Sequence, residues 1–439
     1  LKRALYPLLL AVPGAAIAWA LNRQGASAGQ LTIWVFALAL IGLIPLASII
    51  GEVTDRLADY LGPKTSGFIS ASFGNVPELA IGGFLLWHAG NVVARGGAPD
   101  NDFVIIRGLL IGSIINNVLL VLGISVLFGA LRHGKLRFDK GEAAGYASML
   151  ALAVVGLSLP TLASAFAEKV GREEEVLKLN TTSIIVSGIL IITYIMYVAS
   201  EVFGFGSRPS KKVAEREAVA LAAGAGHAEG HGEHGEHGEH GEHHHGGSHH
   251  ETEEEAEERK REEEESKARE ARHARRREHP SAAPLLLAAL AIATIITVGL
   301  AGILVDVTEN VIKGTFLTPF STGFIIFPIV CNFGELVTAF MFAWRGNMRD
   351  AMEVAAGSSV QMPLFVTPVV VFLSVLFAFG NPDLVLTLIF KPLELIIVAL
   401  ATFVYALVNL DGETTWLEGL QLLAFFAMIA VTAFALPGA

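Results

Sequence analysis

Apolar residues in this chain come in unbroken runs, with little sign of a helical or strand period. Eleven runs recur, at roughly 4–21, 31–54, 67–87, 103–129, 141–165, 179–203, 282–305, 317–344, 350–379, 383–409 and 416–436. An apolar helix of about 20 residues spans a ~30 Å hydrocarbon core. The expected fold is therefore an all-α polytopic membrane protein with about eleven transmembrane helices. A large soluble helical protein would show a polar face on most of its helices, and few are visible here. Pro13, Pro45, Pro77, Pro160, Pro328, Pro363 and Pro368 fall inside runs. Bundles tolerate such prolines where neighbours satisfy the freed carbonyls, so several helices should kink or break.

Composition agrees. The 439 residues are 53% hydrophobic and 17% charged, against about a quarter charged in soluble domains. Many of the charges lie between 206 and 280. That window holds a His-Gly-Glu repeat at 231–243, further histidines to His250, then a Glu-rich and Arg-rich stretch to Arg277. A disordered linker is one reading of the His/Glu tract, and a metal-responsive element is the other. Glu255–Arg259 and Glu257–Arg261 have the i,i+4 spacing of a charged helix. The net charge of −11 belongs largely to this segment and says little about partners. Cys331 is the only cysteine, so no intramolecular disulfide can form. The first run shows no evident cleavage site and reads as a span.

Basic residues in the short loops set the expected orientation. One side carries Lys2, Arg3, Arg56, Lys64, Arg132, Lys135, Arg137, Lys140, Arg208, Lys211, Lys212, Arg345 and Arg349. The other carries Arg23, Arg95, Arg107, Lys169, Arg172, Lys178 and Lys313. Thirteen against seven makes the first side cytoplasmic, with the N-terminus and the 207–280 loop inside. Expected segments are a first helix and loop (1–30), a five-helix repeat (31–206), the charged loop (207–280) and a second five-helix repeat (281–439).

Two runs carry a carboxylate near their centres, Glu78 within SFGNVPELAIG and Glu335 within CNFGELVTAF. A charge at bilayer depth costs on the order of 3 kcal/mol, so each is a functional-site hypothesis. A shift of 257 places Asn75 on Asn332, Glu78 on Glu335 and Glu52 on Glu309; a shift of 245 places Gly112, Ser113 and Asn116 on Gly357, Ser358 and Gln361. Spans two to six thus match spans seven to eleven. Five spans is an odd number, so the halves should insert with opposite topology, as inverted repeats do in transporters with midplane sites.

The pairs Asn75/Glu78, Ser113/Asn116, Asn332/Glu335 and Ser358/Gln361 are three residues apart, on one helix face each. Asn117 competes with Asn116 for the inward position. Carboxylate, amide and hydroxyl oxygens suit a hard cation such as Ca2+, whereas a set without histidine, joined only by Cys331, does not suit Zn2+ or Cu+. The candidate cation ligands are Glu78, Glu335, Asn75, Asn332, Ser113, Asn116, Asn117, Ser358 and Gln361. Two carboxylates in low dielectric cannot both stay charged without a cation. Such a site would carry a cation one way and protons the other, and crossing empty would be unfavourable. Glu52, Asp55, Asp306 and Glu309 lie near span ends and read as solvated groups or an access funnel. His88 and His133 read as loop residues without chemistry.

GNVPEL at 74–79, GSIINNVLLVLG at 112–123 and NMRDAMEVAAGSSVQMPLFVTP at 347–368 resemble the motifs of the cation/H+ exchanger (CAX) branch of the cation/Ca2+ exchanger superfamily. The charged loop resembles that family's acidic helix. The resemblance implies alternating access, Ca2+ movement driven by protons, and Glu78 and Glu335 as alternately protonated or calcium-bound ligands. Three positions depart from the pattern: Cys331 replaces a usual Gly, Leu336 a His and Asn116 a Ser.

The expected function is a Ca2+/H+ antiporter. The alternatives are a Na+/Ca2+ exchanger or a monovalent cation/H+ antiporter, with metal sensing by the His-rich loop as an added role. No HExxH motif points to an enzyme. No cofactor or nucleic-acid partner is expected; the partners are Ca2+, protons and the lipid bilayer, and the oligomeric state is not assigned. The expected location is the plasma (inner) membrane of a prokaryote or an organellar membrane of a eukaryote.

Overall fold

Helices occupy nearly all the expected runs. The computed structural model describes residues 5–24, 28–61, 73–169, 176–203 and 282–435. The chain divides into two compact units, 1–198 with 282–439, and 199–281. The 207–280 loop, with its His/Glu tract and the helix expected after it, lies outside the described residues.

After a 3₁₀ turn (Tyr6–Leu10) come α1 (Ala11–Arg23) and α2 (Ala28–Leu61). The first half continues with α3 (Val76–Ala94) and α4 (Asp100–Ile115). A π-helical turn, Asn116–Val121, joins α4 to α5 (Leu122–His133); α6 (Lys140–Lys169) and α7 (Val176–Phe203) follow. The second half opens with α8 (Ala282–Gly314), α9 (Pro319–Ser321), a π turn (Thr322–Ile326), α10 (Phe327–Cys331) and α11 (Phe333–Trp344). It ends with α12 (Met348–Gln361), a π turn (Met362–Val366), α13 (Thr367–Ala378), α14 (Pro392–Val408) and α15 (Trp416–Ala435).

Seven of the described helices are long and apolar enough to cross a bilayer, or eight if the pair bent by 51° at Asn332 counts as one span. The chain is an integral, multi-pass membrane protein. The α4–α5 span is 72% buried and the α12–α13 span 56%, against 28% for α6, α7 and α15. The first two are the helices that carry the Gly-Ser motifs, and with α2, also 56% buried, they are the most enclosed spans. The outer helices present apolar side chains outward, such as Phe166 on α6 (72% exposed) and Met196 on α7 (66%), as lipid-facing helices do.

The two halves interlock. α2 packs along α8, α3 packs on α8, α11 packs on α2, and α6 packs on α14. Each motif helix therefore rests on the first long helix of the opposite half. Close approach is provided by glycine: a Cβ at Gly108 on α4 would lie 2.9 Å from Phe324 N, and one at Gly323 would run into the Ile105 carbonyl. A short antiparallel pair, β1 (Leu136–Arg137) with β2 (Glu413–Thr414), joins two loops.

The tenth run differs from expectation. It was expected as a helix over 383–409, but α14 begins at Pro392, where Glu394 accepts a hydrogen bond from Lys391 N at 2.9 Å. Pro392 fixes the first helical turn, and the residue before a proline favours extended backbone. Residues 385–391 carry no helix, and Leu386, Leu388 and Phe390 are buried. Such backbone must find partners at membrane depth. Leu386 N donates to Ser374 Oγ (2.8 Å), Leu388 N to Ser183 Oγ (3.0 Å) and Phe390 N to Thr161 Oγ1 (2.9 Å). In the third run residues 73 and 74 are helical, the helix breaks at Asn75 and resumes as α3 at Val76; residues 62–72 lie outside the described residues.

Candidate functional site

The two Asn-x-x-Glu motifs fold alike. Asn75 precedes α3 with φ −99°, ψ 20°, and Asn332 precedes α11 with φ −87°, ψ 14°. Each is the N-cap of its helix, and its carbonyl accepts from the residue four on: Leu79 N to Asn75 O and Leu336 N to Asn332 O, both at 3.0 Å. Glu78 and Glu335 consequently fall in first turns, where the partial positive charge of the helix start favours a carboxylate. Asparagine is a favoured N-cap because its side chain can bond the first free N–H groups. Neither asparagine does so here; both side chains reach across to the other half instead.

Asn75 Nδ2 donates to Gln361 Oε1 at 2.9 Å, and Asn117 Nδ2 donates to Asn332 Oδ1 at 3.2 Å. Each motif asparagine is thus held by an amide from a helix in the other half of the chain. Asn332 Nδ2 also donates to Pro328 O at 2.8 Å, across the break between α10 and α11. The repeat shift pairs Asn116 with Gln361, yet Asn117 makes the contact equivalent to that of Gln361. The π turn begins at Asn116 in one half and at Met362 in the other. A π turn inserts a residue and rotates the helix face, and such turns concentrate at functional sites.

Glu78 is 1% exposed, and neither carboxylate oxygen has a hydrogen-bond partner among the described residues. Glu335 lies within electrostatic reach of it, as does Cys331. The buried oxygens of Ser113 (Oγ), Asn116 (Oδ1) and Asn117 (Oδ1) also lack hydrogen-bond partners. A partnerless buried oxygen costs roughly 1–3 kcal/mol, more if charged. These oxygens are of the kind that bind hard cations. Glu335, Ser358 and Gln361 are half-buried, whereas Glu78, Ser113, Asn116 and Asn117 are buried, so the site is unequally exposed in its two halves. Ser359, beside Ser358, is the fully buried serine and donates to Ala355 O at 2.7 Å.

Several residues play parts the sequence did not single out. Glu353 is exposed on α12 and shares a helix face with Gly357 and Gln361 at i, i+4, i+8 spacing. His88 is not a loop residue. It lies in α3, with Nδ1 at 2.9 and 3.1 Å from the Asp102 carboxylate oxygens and Nε2 at 3.9 Å from Glu309. His133 ends α5, with Nε2 2.9 Å from Trp344 O. Arg107 lies within α4, where Nη2 donates to Thr387 Oγ1 at 2.8 Å. Among the funnel candidates, Glu52 pairs with Arg56, Glu309 pairs with Lys313 (2.6 Å), and Asp306 accepts from Trp19 Nε1 (2.8 Å). The first two pairs are i,i+4 bridges at positions exactly one repeat shift apart. The side chain of Asp55 lies outside the described residues.

Known proteins share this architecture. The Ca(2+)/H(+) antiporter of Synechocystis sp. (strain ATCC 27184 / PCC 6803 / Kazusa) is 30% identical over 408 residues, 92% of this chain and 91% of its own. The Ca(2+)/H(+) antiporter ChaA of Bacillus subtilis (strain 168) is 27% identical, covering 93% of this chain and 95% of its own. The solved structure of native YfkE superimposes with a TM-score of 0.68 at 23% identity, over 98% of this chain and 100% of that one. The crystal structure of the H+/Ca2+ exchanger CAX gives 0.61 at 13% identity, over 99% and 92%. Residues 31–203 and 285–435, both halves of the bundle without the charged loop, match the sodium/calcium exchanger protein family, and the chain belongs to that family.

Proposed function

We propose that this chain is a secondary active transporter exchanging Ca2+ for protons by alternating access, with Glu78 and Glu335 as the shared ligands. The observation that carries the reading is Glu78, a buried carboxylate with both oxygens unpartnered and Glu335 within electrostatic reach. Bringing the pair into a low-dielectric interior without compensation is strongly unfavourable. A divalent cation compensates both charges at once, and protons compensate them one by one. The site therefore crosses loaded with either ligand and resists crossing empty, which couples the two fluxes. Asn75, Asn332, Ser113, Asn116, Asn117, Ser358 and Gln361 complete the proposed ligand and support set. No cofactor takes part.

The halves, 31–206 and 281–439, act as inverted repeats after a first helix in 1–30, with 207–280 a cytoplasmic loop. Supporting this topology, contacts near the helix ends join segments that alternate crossing would put on one side. Lys135 and Arg137 meet Glu413, and Arg349 meets Glu142, all on the proposed inner side. On the other side Arg107 meets Thr387, Asn180 donates to Pro382 O, and His88 reaches Glu309. The excess of basic residues gives the first side to the cytoplasm.

A Na+/Ca2+ exchanger, the activity in the family's name, is the second reading. Against it, the proposed ligand set contains two acidic side chains, Glu78 and Glu335, and Na+ coupling alongside Ca2+ favours more. Reconstituted flux decides between them. Proteoliposomes with an imposed proton gradient should accumulate Ca2+ with no Na+ present, and competition with Na+, K+ and Mn2+ then ranks the ions. Ca2+ movement that requires a Na+ gradient and ignores a proton gradient would favour the second reading.

A further inference from the structure

Glu78, Ile81, Leu85, His88 and Val92 follow one another at intervals of three and four along α3, so they form one stripe of that helix. Ten residues separate Glu78 from His88, about 15 Å along the axis. At the far end of the stripe a cleft opens between α3, α4 and α8, lined by Leu85, His88, Val92, Asp102, Thr308 and Glu309 among others. Ile81 (0% exposed) and Leu85 (1%) lie between the cleft and Glu78. The cleft is therefore in line with the candidate site and shut off from it by two apolar side chains. On the other half of the site, Glu335, Ser358 and Gln361 are half-buried.

Charges gather where the cleft is closed. His88 on α3 faces Asp102 on α4, whose side chain is 10% exposed, at 2.9 Å, and Glu309 on α8 at 3.9 Å. Lys313 holds the second Glu309 oxygen at 2.6 Å, and Asp306 is taken by Trp19. The turn Pro382–Leu384, which also touches α3, carries Asp383, while α10 and α13, packed on the same helix, carry no charge. His88 is thus the group that links carboxylates on two helices of opposite halves. The repeat shift of 257 puts Arg345 at its equivalent position, so the halves are not alike here.

Resting on the antiporter reading, we infer that this cleft is the outer vestibule of the exchange path and that His88 latches it shut. The charged imidazole draws Asp102 and Glu309 together and holds α3 against α8. When it loses its proton, the attraction to both carboxylates falls, and the helices can part above Leu85. Histidine suits the task because its charge changes near neutral pH. His88 is a positioning residue; it acts on access to Glu78 and does not ligate the transported ion.

The test reads access rather than transport. Val92→Cys reports the mouth of the cleft and Leu85→Cys its floor, each labelled from outside in right-side-out vesicles with a membrane-impermeant maleimide. Labelling of the parent chain, whose one cysteine is the buried Cys331, is subtracted. The floor-to-mouth ratio removes the pH dependence of thiol reactivity common to the two cysteines, and the His88→Gln and His88→Lys variants show any that is not. With His88 present the ratio should rise several-fold as outer pH goes from 5.5 to 8.5. With His88→Gln it should be high and flat, and with His88→Lys low and flat. Asp102→Asn, which removes the partner and keeps the shape, should follow His88→Gln. A flat ratio with His88 present, an unchanged pH dependence in His88→Gln or Asp102→Asn, or labelling from the inner face alone overturns the inference. Ca2+/H+ flux in the same vesicles is scored separately, so a protein that gates as described but moves no Ca2+ would refute the antiporter reading and leave the latch standing.

Discussion

Gly108→Ala adds one carbon where α4 crosses the π turn Thr322–Ile326. The new Cβ would lie 2.9 Å from Phe324 N and 3.0 Å from Gly323 C. Ordinary contact starts near 3.4 Å, so the two segments must part by roughly 0.5 Å, because backbone atoms cannot swing aside as a side chain does. Overpacking of this kind costs about 1–3 kcal/mol. The displaced segments run into Asn117 on one side and Asn332 on the other, whose hydrogen bond is already 3.2 Å long. Another 0.5 Å takes it beyond the useful range and forfeits about 1 kcal/mol. If that last term falls on the loaded site, apparent Ca2+ affinity should drop about fivefold, since 1.4 kcal/mol is a factor of ten. The assays are thermal unfolding in detergent and half-saturating Ca2+ in proteoliposomes. Gly299→Ala, with nothing within 4 Å of its Cβ, is the control. If Gly108→Ala matched the control in both assays, the close approach of the halves would not be holding the site.

Three further outcomes are expected. Asn75→Ala and Gln361→Ala should be non-additive in apparent Ca2+ affinity, with a coupling of about 0.5–1.5 kcal/mol for their 2.9 Å hydrogen bond; strict additivity would mean the bond does not shape the site. Lys135 and Arg137 beside Glu413 hold its carboxyl below the usual value of 4.5. A depressed folded-state value means this stabilisation is present above pH 4.5 and is lost as pH falls through the lower value. Wild type should therefore unfold at a slightly higher temperature than Glu413→Gln at pH 7, with the gap closing in acid and in high salt; a gap unchanged at pH 3 would contradict the pairing. Deleting 227–250 should leave proton-driven Ca2+ transport measurable, and complete loss with normal membrane insertion would make the tract more than a linker.

Much of this architecture was legible because a bilayer leaves a chain few options. Runs of about 20 apolar residues could only be helices, and carboxylates within them could only be functional or costly. The Asn-x-x-Glu motifs match in sequence, and the backbone angles of Asn75 and Asn332 are nearly identical, so the same short pattern folds alike in both halves. What was not legible came from backbone that departs from the regular helix. The run from Leu386 to Phe390 is as apolar as any span, and only the hydroxyls of Ser374, Ser183 and Thr161, distant in sequence, reveal that it lies extended. With the π turns, Asn117 rather than Asn116 makes the hydrogen bond to Asn332, while Asn116 stays buried, a difference that a fixed repeat shift cannot register. Nothing local marks His88, which stands at the edge of an apolar run and whose partners Asp102 and Glu309 belong to other helices.

The central claim is that Glu78 and Glu335 are one site shared between Ca2+ and protons. The most direct measurement is pH-gradient-driven uptake of radioactive calcium into everted vesicles carrying wild type, Glu78→Gln or Glu335→Gln at matched expression. The account predicts gradient-dependent uptake in wild type and background uptake in both variants, since either substitution leaves a single carboxylate to hold a divalent cation. Wild-type uptake in either variant would contradict it.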